Sequence, residues 1–315
     1  MGSPRCSNGG GRLAFELERL ESRGVWVVAR SDEPYPEQLK RRLGLRAPAL
    51  LFGAGRREVV RGKGLAVVGS RDADEEALAF AADLGRSVAA AGGTVVSGAA
   101  RGVDRAAMDA AIAAGGAVTG VVADSLVRLT QQPDVRVALA DGLLTLVTPY
   151  PPEARFSVGQ AMGRNRFVYC LAEAAVVVAT ASGSGGTWAG AIENLKAGWV
   201  PLWVLDTPAA PAGNRELLAQ GGRPLASPSA DTVFQDEAPE ATPAHVPDDP
   251  LAALERVLSV PRTEREVCEE LGLGQGKARQ LLREGVAAGR LKREGKPFRY
   301  VVSSAAAQAR LFEAA

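Results

Sequence analysis

Histidine is almost missing from this 315-residue chain: the one copy, His245, lies in a Pro-rich segment. That excludes histidine-based triads and most zinc-hydrolase schemes. Cysteine is nearly as scarce, with Cys6, Cys170 and Cys268 far apart and odd in number, so neither a disulfide framework nor a Cys-x-x-Cys metal site is available. No apolar run approaches the roughly 18 residues of a membrane span, and residues 1–12 lack the apolar core of a signal peptide. A cytoplasmic protein without membrane contact is the expectation. Neither sign of charge dominates, since 37 Lys and Arg face 36 Asp and Glu. What is present, 46% hydrophobic and 23% charged residues, describes an ordinary globular protein with room for one large domain and a small one.

The chain is organised around Thr94–Asp104, where the apolar pair Val95-Val96 runs through small residues into a helix pattern from Val103 to Ala114. Around it the alternation is that of a doubly wound, mostly parallel α/β sheet of Rossmann-like class. Strands are expected at 65–68, 95–96, 117–122, 143–148, 174–179 and 200–205. Helices are expected at 72–91, 103–114, 156–171, 186–196 and 214–219, and residues 124–140 read as a loop and a helix broken at Pro133. Residues 1–63 read as an N-terminal extension and cap, with a helix at 13–23, a small helix at 37–43 and short strands at 25–29 and 49–52. Residues 64–235 form the main domain. The Pro, Ala, Glu and Asp of 236–249 are linker chemistry. From 250 to 303 the order is helix, helix-turn-helix, hairpin, with a Thr263-x-x-Glu266 capping box, which reads as a winged helix; 304–315 is a tail.

In such a sheet the ligand crevice lies beyond the carboxyl ends of the strands. Three turns should meet there: Gly69-Ser70-Arg71, the turn from Ser97 and Gly98 through Arg101 and Gly102, and Ser182-Gly183-Ser184-Gly185-Gly186-Thr187. Each offers backbone N–H groups at a helix N-terminus, the arrangement that holds phosphate, and Arg71, Arg101, Arg164 and Arg166 add charge beside Asn165. Close packing alone is the plain alternative for glycines at these places. None of the turns carries the Gly-x-x-x-x-Gly-Lys-Ser/Thr of an ATPase or the full dinucleotide spacing, so no cofactor is expected.

Val67-Val68-Gly69-Ser70-Arg71, Ser97-Gly98-Ala99-Ala100-Arg101-Gly102-Val103-Asp104, Arg164-Asn165-Arg166 and Ser182-Gly183-Ser184 resemble, in order and spacing, the motifs of the DprA/Smf family over roughly residues 33–232. The resemblance implies a Rossmann-like domain that binds single-stranded DNA without catalysis, forms homodimers and loads the recombinase RecA onto strands. In members found beside toxin genes it implies an antitoxin or DNA-sensing role in phage defence. The sequence also departs from the family: Met108 stands where a histidine is usual, and the Tyr-Pro after the third strand is missing.

A nucleotide phosphoribohydrolase is the enzyme alternative, because Gly185-Gly186-Thr187 and Glu193 resemble the glycine-loop motif of those enzymes. The acid falls six residues after Thr187 instead of three, which turns it to another helix face. Trp199 and Trp203 read as core, and Trp188 is a candidate for base stacking. In the C-terminal part, 275–300 holds eight basic residues against two acidic ones. That local surplus makes Lys277, Arg279, Arg283, Lys292, Arg293 and Lys296 candidate phosphate contacts, the alternative being a protein-docking face.

Overall fold

The computed structural model describes residues 8–235, 250–271, 275–295 and 298–303. Its first part contains α1 (Asn8–Glu21), β1 (Trp26–Ala29), α2 (Glu37–Leu43), β2 (Leu50–Ala54), β3 (Gly64–Val68), α3 (Glu75–Ala90), β4 (Thr94–Ser97), α4 (Val103–Ala113) and β5 (Ala117–Val121). There follow α5 (Leu126–Leu129), α6 (Pro133–Ala140), β6 (Leu144–Thr148), α7 (Val158–Leu171), β7 (Ala174–Val177), α8 (Gly185–Ala197), β8 (Leu202–Leu205), α9 (Ala212–Ala219), β9 (Arg223–Leu225) and α10 (Ala230–Gln235). The C-terminal part contains α11 (Pro250–Val257), α12 (Glu264–Leu271), α13 (Gln275–Ala287), β10 (Leu291–Glu294) and β11 (Arg299–Val302). Among the described residues no helix is long and apolar enough to cross a membrane.

Nine strands form one sheet in the order β1-β2-β6-β5-β4-β3-β7-β8-β9, parallel from β6 to β9. β3, β4, β6, β7 and β8 are buried along their whole length, as strands covered on both faces must be, which is why they read as unbroken apolar runs. The chain moves outward from β3 through β4 and β5 to β6, then returns along α7 to place β7 on the other side of β3. Strand order reverses there, and the crevice opens at the carboxyl ends of β3 and β7.

The first two strands are not a cap laid on the sheet. Trp26–Ala29 pairs with Leu50–Gly53, and Phe52–Ala54 pairs antiparallel with Leu146–Thr148, so β1 and β2 extend the same sheet. Without them β6 would present an open edge of unpaired backbone groups. Pro133 does not break a helix but begins α6, where its missing N–H costs nothing. β9 was not legible at all: Arg-Pro-Leu has little strand character, and Pro224 is tolerated because β9 is an edge.

α3 and α4 meet at Gly85, where a Cβ would stand 2.2 Å from the Ala107 carbonyl oxygen, so the two backbones touch. Leu65, Val67, Leu84, Val88, Val95, Val103 and Val118 fill the core around that contact.

The C-terminal unit has its own core of Leu254, Leu258, Val267, Leu281, Leu282 and Leu291. Its capping box closes as the spacing predicts: Glu266 accepts from the Thr263 N–H at 2.7 Å, and the Glu266 N–H donates to the Thr263 hydroxyl at 3.3 Å. The Thr263 N–H and the Thr263 hydroxyl, both donating to it, hold the Glu266 carboxyl below its ordinary range. β10 and β11 form the expected antiparallel hairpin. The expected linker 236–249, the turn at 272–274, Lys296 and the tail 304–315 lie outside the described residues, as does the Lys277 side chain.

Candidate nucleic-acid interface

The turns after β3, β4 and β7 are fastened to one another by hydrogen bonds to backbone carbonyls. Ser70 N–H donates to the Ala179 carbonyl at 2.8 Å, Val103 N–H to the Ser70 carbonyl at 3.3 Å, and the Thr187 hydroxyl to the Gly69 carbonyl at 3.0 Å. Gly102 makes this possible: with φ at +81° it takes a conformation other residues avoid, and a Cβ there would stand 2.4 Å from the Ser70 carbonyl oxygen. Within the second turn the buried Asp104 carboxylate accepts from Gly98 N–H at 3.1 Å and Ala100 N–H at 3.4 Å, and it holds Ala99 at a φ of 53° between them. The Ser97 hydroxyl donates to the Val67 carbonyl at 2.7 Å and ties β4 to β3. On the far side Asn214 is fully buried and takes three bonds, from Thr180 N–H at 3.0 Å and to the carbonyls of Val178 at 2.9 Å and Leu205 at 3.0 Å. One side chain thereby fastens the ends of β7 and β8 to α9.

A cleft of about 490 Å³ opens among these turns. Its lining combines polar backbone and charge, from Gly69, Ser70 and Arg71 and from Ser184 to Thr187, with the apolar side chains of Phe156, Val158 and Met162, exposed by 49, 72 and 43%. Arg164 on α7 also lines it, only 7% exposed, its Nε buried without an acceptor. Gly98 leaves it room, for a Cβ on Gly98 would lie 1.7 Å from Arg164 Nη1. Burial lowers the Arg164 pKa, and the Asp104 carboxylate opposes that shift. The same burial raises the Asp104 pKa against the opposing charge of Arg164. Tyr169, fully buried beside them with its hydroxyl unpartnered, is also pushed up by desolvation.

The structure sorts the residues expected from sequence. Gly69, Ser70, Arg71, Arg164, Asn165, Ser184, Gly185, Gly186 and Thr187 line the cleft. Asn165 does so while donating to the Gly186 carbonyl at 2.9 Å, which holds α7 against the start of α8. Ser97, Gly98 and Gly102 shape the turns and do not line the cleft, because their polar or open sides face other protein groups. Arg101 stands outside it in an exposed pair with Asp72 at 2.8 Å, and Arg166 faces away to Glu193 at 3.3 Å. Ser182 donates to Glu216 at 2.6 Å, and Gly183 beside it also stays out of the lining. The three helix N-termini are not alike either: Asp74 caps α3, whereas α4 and α8 carry no side-chain cap. Trp199 and Trp203 are core, and Trp188 is half-buried outside the cleft. In the C-terminal unit Arg283, Lys292 and Arg293 are exposed, Arg293 lying 3.5 Å from the Phe298 ring centre, while Arg279 pairs with Glu264 at 2.8 Å. The sequence reading missed Asp104 as the brace of the second turn and the apolar wall of Phe156, Val158 and Met162.

A mostly parallel α/β sheet with glycine turns and a buried arginine at its switch point defines a Rossmann-like domain. The chain belongs to the family of DNA recombination-mediator protein A, whose model matches residues 26–234. It is 34% identical over 228 residues to a putative DNA processing protein DprA of Mycobacterium tuberculosis, an alignment covering 67% of this chain and 57% of that protein. It is 28% identical over 231 residues to DNA processing protein DprA of Bacillus subtilis, covering 71% and 75%. The chain thus spans little more than half the length of the mycobacterial relative. Among solved structures it resembles DprA from Streptococcus pneumoniae, with a TM-score of 0.60 at 21% identity over 74% of this chain and 83% of that one. It also resembles DNA processing protein A from Helicobacter pylori, described with its single-stranded DNA binding mode, with a TM-score of 0.56 at 20% identity over 67% and 94%. These two likenesses are of fold.

Proposed function

We propose that the chain binds single-stranded DNA, without catalysis, at the cleft beyond β3, β4 and β7, as a DNA-processing and recombination protein. The observation that carries this reading is Arg164: a guanidinium side chain only 7% exposed, with no acceptor on its Nε, lines a cleft that Arg71 and the uncapped N-terminus of α8 also line, a combination that suits phosphate. The apolar side chains of Phe156, Val158 and Met162 in the same cleft suit bases, which stack without regard to sequence. Arg101 is available to the same strand, because its pair with Asp72 is exposed and such pairs contribute only about 0–1 kcal/mol. A binding role is also supported by the carboxylates. Asp104 is committed to two backbone N–H groups, and Glu193 pairs with Arg166 outside the cleft. The helices and hairpin of the C-terminal unit support a winged helix whose exposed Lys292 and Arg293 add a second phosphate contact.

Mobility-shift titration of the triple variant Arg71→Ala, Arg101→Ala, Arg164→Ala tests the reading. Wild-type affinity for an unstructured oligonucleotide falls with salt at about 0.7 logarithmic units per phosphate contact, and the folded triple variant does not shift it. A folded triple variant that binds as wild type overturns the proposal.

A further inference from the structure

We infer that the floor of the cleft takes a phosphomonoester, the terminal phosphate of a nucleotide, rather than a phosphodiester inside a strand. This rests on the reading of the cleft as the DNA site and names which part of the strand it holds.

Charge is the first argument. Facing the cleft are the buried Arg164 guanidinium, the Arg71 side chain and the first turn of α8, whose Ser184 side chain provides no cap. A helix N-terminus carries about half a positive charge, so the positive side amounts to roughly +2.5. Asp104 is the acid among the lining residues, and its carboxylate is already engaged by the N–H groups of Gly98 and Ala100. The remaining excess of about +1.5 matches a phosphomonoester, which carries about −1.5 to −2 at neutral pH. A diester carries a single negative charge and matches less of that excess, which Arg71 and the start of α8 present at the exposed side of the cleft.

Depth is the second. Arg164 is 7% exposed, so the phosphate that reaches it must project to the bottom of the cleft. A terminal phosphate does this on one ester arm, whereas an internal one must carry the sugars on both sides to the same depth. The cleft, about 490 Å³, falls within the range that encloses one small ligand, and its wall of Phe156, Val158 and Met162 offers an apolar surface to one base and sugar. A strand end and a free nucleoside monophosphate present the same chemistry, and competition separates them.

The experiment measures binding of one internally labelled oligonucleotide in three forms, with a 5′-phosphate, with a 3′-phosphate and with hydroxyls at both ends, to the full chain and to Arg164→Lys. One phosphorylated form is expected to bind at least tenfold more tightly than the hydroxyl form, and that difference collapses in Arg164→Lys, whose thermal unfolding is recorded alongside. A nucleoside monophosphate that displaces the phosphorylated strand at equal or lower concentration supports the site and assigns it to the free nucleotide. Equal wild-type affinity for all three forms overturns the inference and leaves single-stranded DNA binding intact, whatever the variant does. If the monophosphate binds and none of the oligonucleotides does, the inference stands and the strand reading falls. If neither binds, both fall.

Discussion

Arg164 and Gly98 compete for one volume: the guanidinium of the first lies where a methyl group on the second would be, 1.7 Å from Nη1. Gly98 N–H is held by Asp104, so the group that must give way is the end of the buried Arg164 side chain. Gly98→Ala is therefore expected to cost about 1–3 kcal/mol, the usual range for overpacking, and to weaken binding of single-stranded DNA about tenfold by displacing Arg164. Denaturant unfolding and a mobility-shift titration on one preparation check both halves.

Asp104 gives the stability a pH dependence of definite sign. Burial raises its pKa in the folded chain, so on raising the pH the unfolded chain releases this proton first, near the ordinary value of about 3.9. Stability contributed by the protonated form is complete below that value and is lost as the pH rises through the higher folded one. Asp104→Asn keeps an oxygen for Gly98 and Ala100 but cannot titrate. Unfolding free energies measured from pH 4 to 7 are expected to lose this downward component in the variant; an unchanged profile contradicts the assignment.

Asn214→Ala removes three buried bonds to backbone groups of Val178, Thr180 and Leu205. Stranded buried groups cost about 1–3 kcal/mol each. A loss of at least 3 kcal/mol is expected, seen as a large fall in the unfolding midpoint of the sheet domain.

Lys292 and Arg293 separate charge from packing in the C-terminal hairpin. Both are exposed, but Arg293 also lies over the Phe298 ring. If the hairpin grips phosphate, Lys292→Ala lowers the salt slope of DNA binding by about 0.7 per lost contact to single strands. Arg293→Ala does the same and lowers the stability of the unit as well. Identical slopes in wild type and both variants mean that the hairpin does not touch phosphate.

Much of the scaffold could be read because its signals are local. The buried parallel strands are apolar without interruption, and the turns after Val68, Ser97 and Ala179 carry glycine within a few residues. The family resemblance followed from four motifs whose order survives in the fold. What stayed hidden is relational. β1 and β2 join the sheet through β6, about 95 residues further along from β2, and pairing at that distance leaves no mark in either segment. Arg164 reads as one basic residue among many, since its burial depends on α7 passing over a glycine 66 positions earlier. The apolar wall comes from Phe156, Val158 and Met162, whose spacing around the start of α7 mixes with small and polar neighbours and forms no stripe.

The contact between α3 and α4 at Gly85 bears on how the cleft can move. With the Ala107 carbonyl seated in the gap left by the missing side chain, the two helices cannot slide past each other without opening a hole. The loops that feed them, one from β3 and one from β4, thus ride on a single stiff block and shift together or not at all. The segment before α7 that carries Phe156 lies outside that block, and its exposed side chains leave it freer to give way when a ligand enters.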